Sequence, residues 1–225
     1  MADELRGEGL DRLLCLPLLQ GMSRRDLLDV AGRVRLNFFR LENRRSLARQ
    51  DTPGKGLYFI LSGEVRADRR SLADDYMLSE WISAPLVVQP EALFGWRCRY
   101  SHTFTAASSL SLMEVDKSAV RDVLFQYPAF RLNMLNYFGY AARRADNFLW
   151  CEEGAGLAVR FGLFLRRRCL RVTGRKELSV KLATLAAELG WERRTLSRVL
   201  HGMEDDGLLR MVRGKVEIPE LSLLP

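Results

Sequence analysis

Three guanidinium groups, Arg193, Arg194 and Arg198, lie close together in a stretch whose remaining positions are mostly apolar. A guanidinium presents a planar fork of donors that matches guanine O6 and N7, or two phosphate oxygens. Laid out at helical spacing, Leu196, Val199, Leu200 and Met203 form one buried stripe. Arg193, Arg194, Ser197, Arg198 and His201 are left on the opposite face. A second helical stripe precedes it, made of Leu182, Leu185, Ala186 and Leu189. Ala186 is small where two helices must cross closely, and Gly190 permits the positive φ of a tight turn. The spacing predicts a helix-turn-helix whose second helix enters the major groove of duplex DNA. Ser179 is placed to cap the first helix, and its hydroxyl can also reach a phosphate.

The next segment supports that reading. Gly207 to Pro219 predicts a β-hairpin turning at Arg213-Gly214, a wing beside the recognition helix. From Arg160 to Arg198 there are eleven Lys and Arg against three Glu, a local charge of +8 in a chain of net charge +7. A positive field at that place suits a polyanion. The alternative, a solvated helical hairpin with a basic face, explains the charge but not the Ala186 and Gly190 spacing. The run Arg166-Arg167-Arg168-Cys169-Leu170-Arg171 fits phosphate contact and a solvated face equally well.

Elements upstream must position this motif. The chain has 225 residues and is 48% hydrophobic, enough for one large domain or two small ones. Residues 1–35 read as helical, with a helix start at Ser23-Arg24-Arg25-Asp26. From about Leu36 to Val115 the period changes. Leu57 to Leu61, Val65 to Ala67, Leu86 to Val88, Phe104 to Ala106 and Leu110 to Val115 are short strand candidates separated by turn signals. They predict a small antiparallel roll or barrel. A short helix then ends near Tyr127-Pro128, because the residue before proline avoids the α region.

A long helix follows, from about Pro128 to Cys151. Met134, Phe138, Ala141, Ala145 and Phe148 make one heptad stripe, and Leu135, Phe138, Ala142, Ala145 and Leu149 an overlapping one. One stripe is expected to cover the roll and the other to meet a second copy of the chain. Met134, Phe138, Ala141, Ala142, Ala145 and Leu149 are the expected dimer contacts. Glu152 to Gly156, with two glycines, is the expected hinge. The domain plan is 1–127 for the effector roll with its helical lead, 128–153 for the dimerisation helix, and 154–225 for the winged helix-turn-helix.

Other chemistries find little support. Cys15, Cys98, Cys151 and Cys169 are scattered without a C-x-x-C, so neither zinc nor an iron–sulfur cluster is indicated, and reduced thiols are expected. The start of the chain lacks a signal-peptide core, and no apolar run reaches the ~18 residues of a membrane span. A cytoplasmic location without membrane association is expected. Nucleophile elbows, Walker loops and dinucleotide fingerprints are missing. An enzyme on a cupin-like roll would need more metal ligands than His102 provides. No catalytic residue, metal or cofactor is therefore assigned, and the chain is not expected to be an enzyme.

The order of parts resembles the catabolite-activator and fumarate–nitrate regulator (Crp/Fnr) superfamily of bacterial transcription factors. The resemblance covers nearly the whole chain. It is carried most specifically by Pro53, Leu57-Tyr58-Phe59-Ile60-Leu61-Ser62-Gly63-Glu64-Val65 and the stretch from Gly190 to Leu200. It implies an α+β fold: an N-terminal antiparallel β-roll of the cyclic-nucleotide-binding-like, jelly-roll type, a long dimerisation helix and a C-terminal winged helix-turn-helix. It implies a homodimer on a pseudo-palindromic operator, with RNA polymerase as a further partner. Arg193 and Arg198 fall where the family's base-contacting arginines lie, and Ser179 and Thr195 at phosphate-contacting positions. Arg194 stands where many members carry a base-reading glutamate, which implies a different operator.

The sensing end departs further. Cyclic-nucleotide-binding members carry Gly-Glu-Leu followed by Arg-Ser-Ala, the glutamate holding the ribose and the arginine the cyclic phosphate. Here the region reads Ala92-Leu93-Phe94-Gly95-Trp96-Arg97-Cys98 and then Tyr100 to Ala106, with His102-Thr103 or Phe104-Thr105 in place of Arg-Ser. Phe94, Gly95, Trp96, His102 and Thr103 are the candidate effector pocket for an unidentified ligand. A cyclic-nucleotide-responsive regulator of the same architecture, and a signalling module that does not bind DNA, are the alternatives.

Overall fold

The computed structural model describes residues 8–149 and 156–225. They fall into two compact units. One comprises residues up to Val65 and Ile82–Arg143; the other comprises Arg66–Trp81 and Arg144–Pro225.

The first unit opens with helices α1 (Glu8–Leu14) and α2 (Arg24–Arg33). The expected start of α2 is found, with a reciprocal cap. Ser23 Oγ accepts from the Asp26 amide at 3.1 Å, and Asp26 Oδ2 accepts from the Ser23 amide at 2.9 Å. The strands then run β1 (Asn37–Leu41), β2 (Ser46–Ala48), β3 (Gly56–Ser62), β4 (Glu64–Arg70), β5 (Tyr76–Ser83), β6 (Leu86–Val88), β7 (Thr103–Ala106) and β8 (Leu110–Asp116), of which Arg66–Trp81, most of β4 and β5, falls in the other unit. One sheet has the order β1-β8-β3-β6, all antiparallel, and β2 pairs with β7. The turn between β3 and β4 is made at Gly63, whose φ of 96° excludes a side chain.

Pleat alternation decides where the core sits. Leu57 and Phe59 of β3 stand opposite Val115 and Met113 of β8. Together they pack on Leu27 and Val30 of α2. Leu110 and Leu112 of β8 are also buried, so both faces of that strand are covered. Each fully buried residue of this size contributes about 1.5–3 kcal/mol. Helix α3 (Lys117–Asp122) and a 3-10 turn (Leu124–Gln126) lead to α4 (Pro128–Leu149), which begins at the predicted proline. Phe130 and Met134 tie the start of α4 into the same core.

The second unit contains α5 (Leu157–Arg168), β9 (Lys176–Val180), α6 (Leu182–Leu189), α7 (Arg193–Asp205), β10 (Arg210–Val212) and β11 (Lys215–Ile218). Its sheet runs β10-β11-β9-β5-β4. Its core gathers Phe161, Leu165, Leu178, Leu185, Leu196, Leu200, Val216 and Ile218. Cys169 is buried here, which pushes its thiol up to about 11. Of the expected hinge Glu152–Gly156, residues 152–155 lie outside the described residues, as does Cys151, and Gly156 is the capping residue of α5. Among those described, no helix is long and apolar enough to cross a membrane, and no cluster of His, Cys, Asp and Glu could hold a metal.

Candidate nucleic-acid interface

Helix α6 stops where the sequence says it must. Gly190 adopts φ 67°, ψ 37°, and its amide donates to Ala186 and Ala187 carbonyls. The Trp191 amide donates to Ala186 at 2.9 Å, closing the end of the helix. The chain then turns through Trp191 and Glu192 into α7. Leu185, Ala186 and Leu189 are buried on α6, and Leu196, Leu200 and Met203 on α7. Both stripes are the ones expected, with Leu182 and Val199 half-buried at their margins.

The opposite face of α7 carries the cations. Arg193, Arg194 and Arg198 are exposed, while Thr195 and Ser197 are half-buried between them. Among the described residues, none of these three arginines is paired with a carboxylate. A guanidinium already in an ion pair must break it to meet DNA; these need not. His201 is different, since its Nδ1 lies 3.3 Å from Glu204 Oε2. Glu204 also accepts the Met211 amide at 2.7 Å, which ties the end of α7 to β10. That backbone hydrogen bond, foremost, holds the Glu204 carboxyl below its ordinary range.

The wing forms as expected, β10 pairing with β11 around a turn at Arg213-Gly214, where Gly214 takes φ 76°. Arg210 and Arg213 are exposed on it, whereas Lys215 reaches Glu177 Oε1 at 2.7 Å. The arginine run of α5 divides. Arg166 donates to the Pro225 carbonyl at 2.8 Å, and Arg168 to Glu188 at 3.1 Å while stacking on Phe164. Arg167 and Arg171 stay exposed.

Ser179 is not a helix cap, contrary to the expectation. It lies within β9, opposite Lys215 on one side and Met77 on the other, and its hydroxyl is 3.5 Å from Glu177 Oε1. Lys181 is the capping residue of α6, without a side-chain hydrogen bond. The reason is that the β9 ladder extends to Val180 and consumes the backbone there.

The expected effector residues are not gathered round one cavity. Phe94 packs edge-on to Phe125 at 5.7 Å, Gly95 is exposed, and the Trp96 ring is wholly exposed at 104%. His102 is buried, with Nδ1 2.8 Å from Ser101 Oγ. Thr103 Oγ1 accepts the Gln50 amide at 3.0 Å. A cavity of about 450 Å3 is lined instead by Ser46–Arg49, Thr52, Pro53, Lys55, Tyr58 and Tyr100. Gln89 was missed by the sequence reading. Its Nε2 lies 3.2 Å from Glu91, and its Oε1 accepts the Ser101 amide at 3.1 Å.

On α4 the two expected stripes have different fates. Met134 is only 1% exposed, spent on the core of its own unit, so it is unavailable to a partner. Phe138 is half-buried against that core. Ala141, Ala142 and Ala145 are exposed; the side chain of Leu149 lies outside the described residues. Leu132, Leu135 and Tyr140 are large, apolar and exposed. Leu132 and Tyr140 were not expected there, because Gly139 and Asn136 interrupt the apolar pattern that would have pointed to them.

With this geometry in place, known proteins provide a frame. Residues 160–224 match the Crp-like helix-turn-helix domain. The cyclic AMP receptor protein of Thermus thermophilus is 27% identical over 179 residues, covering 76% of this chain and 78% of that protein. The crystal structure of the Thermus thermophilus catabolite activator protein shares the fold, with a TM-score of 0.52 and 22% identity, over 92% of this chain and 95% of that one.

Proposed function

We propose that the chain is a Crp/Fnr-superfamily transcription regulator that acts as a homodimer on a pseudo-palindromic operator. The observation that carries this is the exposed set Arg193, Arg194 and Arg198 on α7, none paired with a carboxylate among the described residues, set off by the left-handed turn at Gly190. Arg193, Arg194 and Arg198 read base edges, and Ser197, Thr195 and Ser179 contact the backbone. Two copies of α7 enter successive major grooves about 34 Å apart. RNA polymerase is a further partner, and the regulator works in the cytoplasm.

The β-roll bears an effector site of cyclic-nucleotide-binding-like descent for a ligand still to be identified. A cyclic nucleotide is the less favoured ligand. The Arg-Ser that holds the cyclic phosphate in cyclic-nucleotide-binding members is replaced here by His102-Thr103 or Phe104-Thr105. A relative named as a cyclic AMP receptor protein does not outweigh that difference in residues.

Selection of bound sequences from random duplex DNA, with and without cell extract, tests the reading. An enriched motif with two-fold symmetry and half-sites one turn apart is expected. A library that returns no enrichment under either condition removes the proposal.

The dimer rests on the exposed face of α4, where Leu135 is 66% exposed. Since Leu135 contributes little to its own unit, Leu135→Glu should leave the monomer folded and split the dimer. Sedimentation should show a halved mass, and operator binding should fall with it. A dimer that sediments unchanged would place the interface elsewhere.

A further inference from the structure

The unit that carries the recognition helix includes a piece of chain from far upstream. Residues Arg66–Trp81 belong with α5, α6, α7 and the wing. In that hairpin β5 lies antiparallel on β9 in unbroken register, from Tyr76 opposite Val180 to Glu80 opposite Lys176. Leu78 stands opposite Leu178, in the same apolar core as Leu196 and Leu200 of α7. The Tyr76 ring packs on Phe164 at 5.6 Å, and its hydroxyl accepts from Arg168 Nε at 2.8 Å. Trp81 lies beneath the Arg175 guanidinium at 4.1 Å.

The hairpin is keyed by charge. Glu80 and Lys176 are both 0% exposed, with Nζ 3.2 Å from Oε2. Glu80 also accepts the Leu170 amide at 2.6 Å and the Arg171 amide at 3.1 Å, while Lys176 donates to the Thr173 carbonyl at 2.7 Å. One carboxylate therefore holds Leu170 and Arg171, the start of the link between α5 and β9. An apolar pair would fill the same space at no desolvation cost, so stability alone does not account for two buried charges. What the charges supply is register, because any slip of β5 along β9 leaves both unpaired in the interior.

We propose that Glu80 is a positioning residue for DNA binding. It holds the hairpin to the α5–β9 link and, through β9 and the shared core, sets the wing and α7. Both ends of the hairpin run into the unit that bears the roll, at Val65 and Ile82. This role for Glu80 rests on the DNA-binding reading above.

The full-length chain tests it, as wild type, Glu80→Gln, Lys176→Met and the double variant. Two quantities are read: hydrogen exchange of the β9 amides, and affinity for the selected operator against a scrambled duplex. Glu80→Gln and Lys176→Met should each raise β9 exchange about tenfold or more. Each should also weaken operator binding at least about tenfold, with scrambled DNA bound within about twofold of wild type. The double variant, which buries no charge, should recover exchange protection and operator affinity together. Single variants with wild-type β9 exchange, or a double variant no better than either, overturn the proposal. So does lost β9 protection with operator affinity intact. Should the wild type bind no DNA at all, the DNA-binding reading fails, and this role for Glu80 fails with it; the β9 exchange still shows whether the ion pair fixes the hairpin.

Discussion

Replacing both Arg193 and Arg198 by alanine is expected to weaken binding to the selected operator by about 2–6 kcal/mol, since each bidentate base contact is worth roughly 1–3 kcal/mol. That is about thirtyfold at the low end and more than ten-thousandfold at the high end. Both side chains are exposed, and neither packs in the core around Leu196 and Leu200, so the fold should be untouched. Binding to non-operator DNA should fall much less, because the wing arginines Arg210 and Arg213 remain. Titration of labelled operator and scrambled duplex at fixed salt distinguishes the two. An equal loss on both would show that Arg193 and Arg198 act as phosphate contacts and read no bases.

Phe161→Ala is the second large effect. Phe161 is fully buried on α5, in the core that also holds α6, α7 and the wing. Truncating a buried phenylalanine costs about 3–5 kcal/mol through lost transfer energy and the cavity left behind. Against a typical domain stability of about 5–15 kcal/mol, this is a large fraction. Protection of α7 and β11 amides from exchange should collapse. The β3 and β8 amides should keep theirs, since they belong to a unit with a separate core. Equal loss in both places would mean that the units unfold as one.

The parts that were legible in sequence are those whose pattern is local. The α6 and α7 stripes and the Gly190 turn rest on residues that all lie between Leu182 and Met203. Strands β3 and β8 were visible because their apolar residues run together and the turn residues flank them. Met134 and Leu135 show the limit. Adjacent residues in overlapping stripes, one buried in its own unit and the other exposed, cannot be told apart by period. The effector residues failed to converge because aromatic composition does not say which way a ring points, and Trp96 points to solvent. Least legible was the role of β5. A glutamate and a lysine in strands read as surface residues, and only their pairing across the sheet puts both inside. Ser179 misled for a related reason, since its strand is completed by partners distant in the chain.

The distance between those partners has a consequence for synthesis. Leu78 meets Leu178, a hundred positions later. At translation rates of about 5–20 residues per second, β5 leaves the ribosome some 5–20 s before the strand it must join. During that interval Glu80 has no Lys176, and the apolar side chains of β5 have no cover. The nascent chain must therefore hold this hairpin idle, solvated or shielded by a chaperone, until the last third of the polypeptide arrives to complete it.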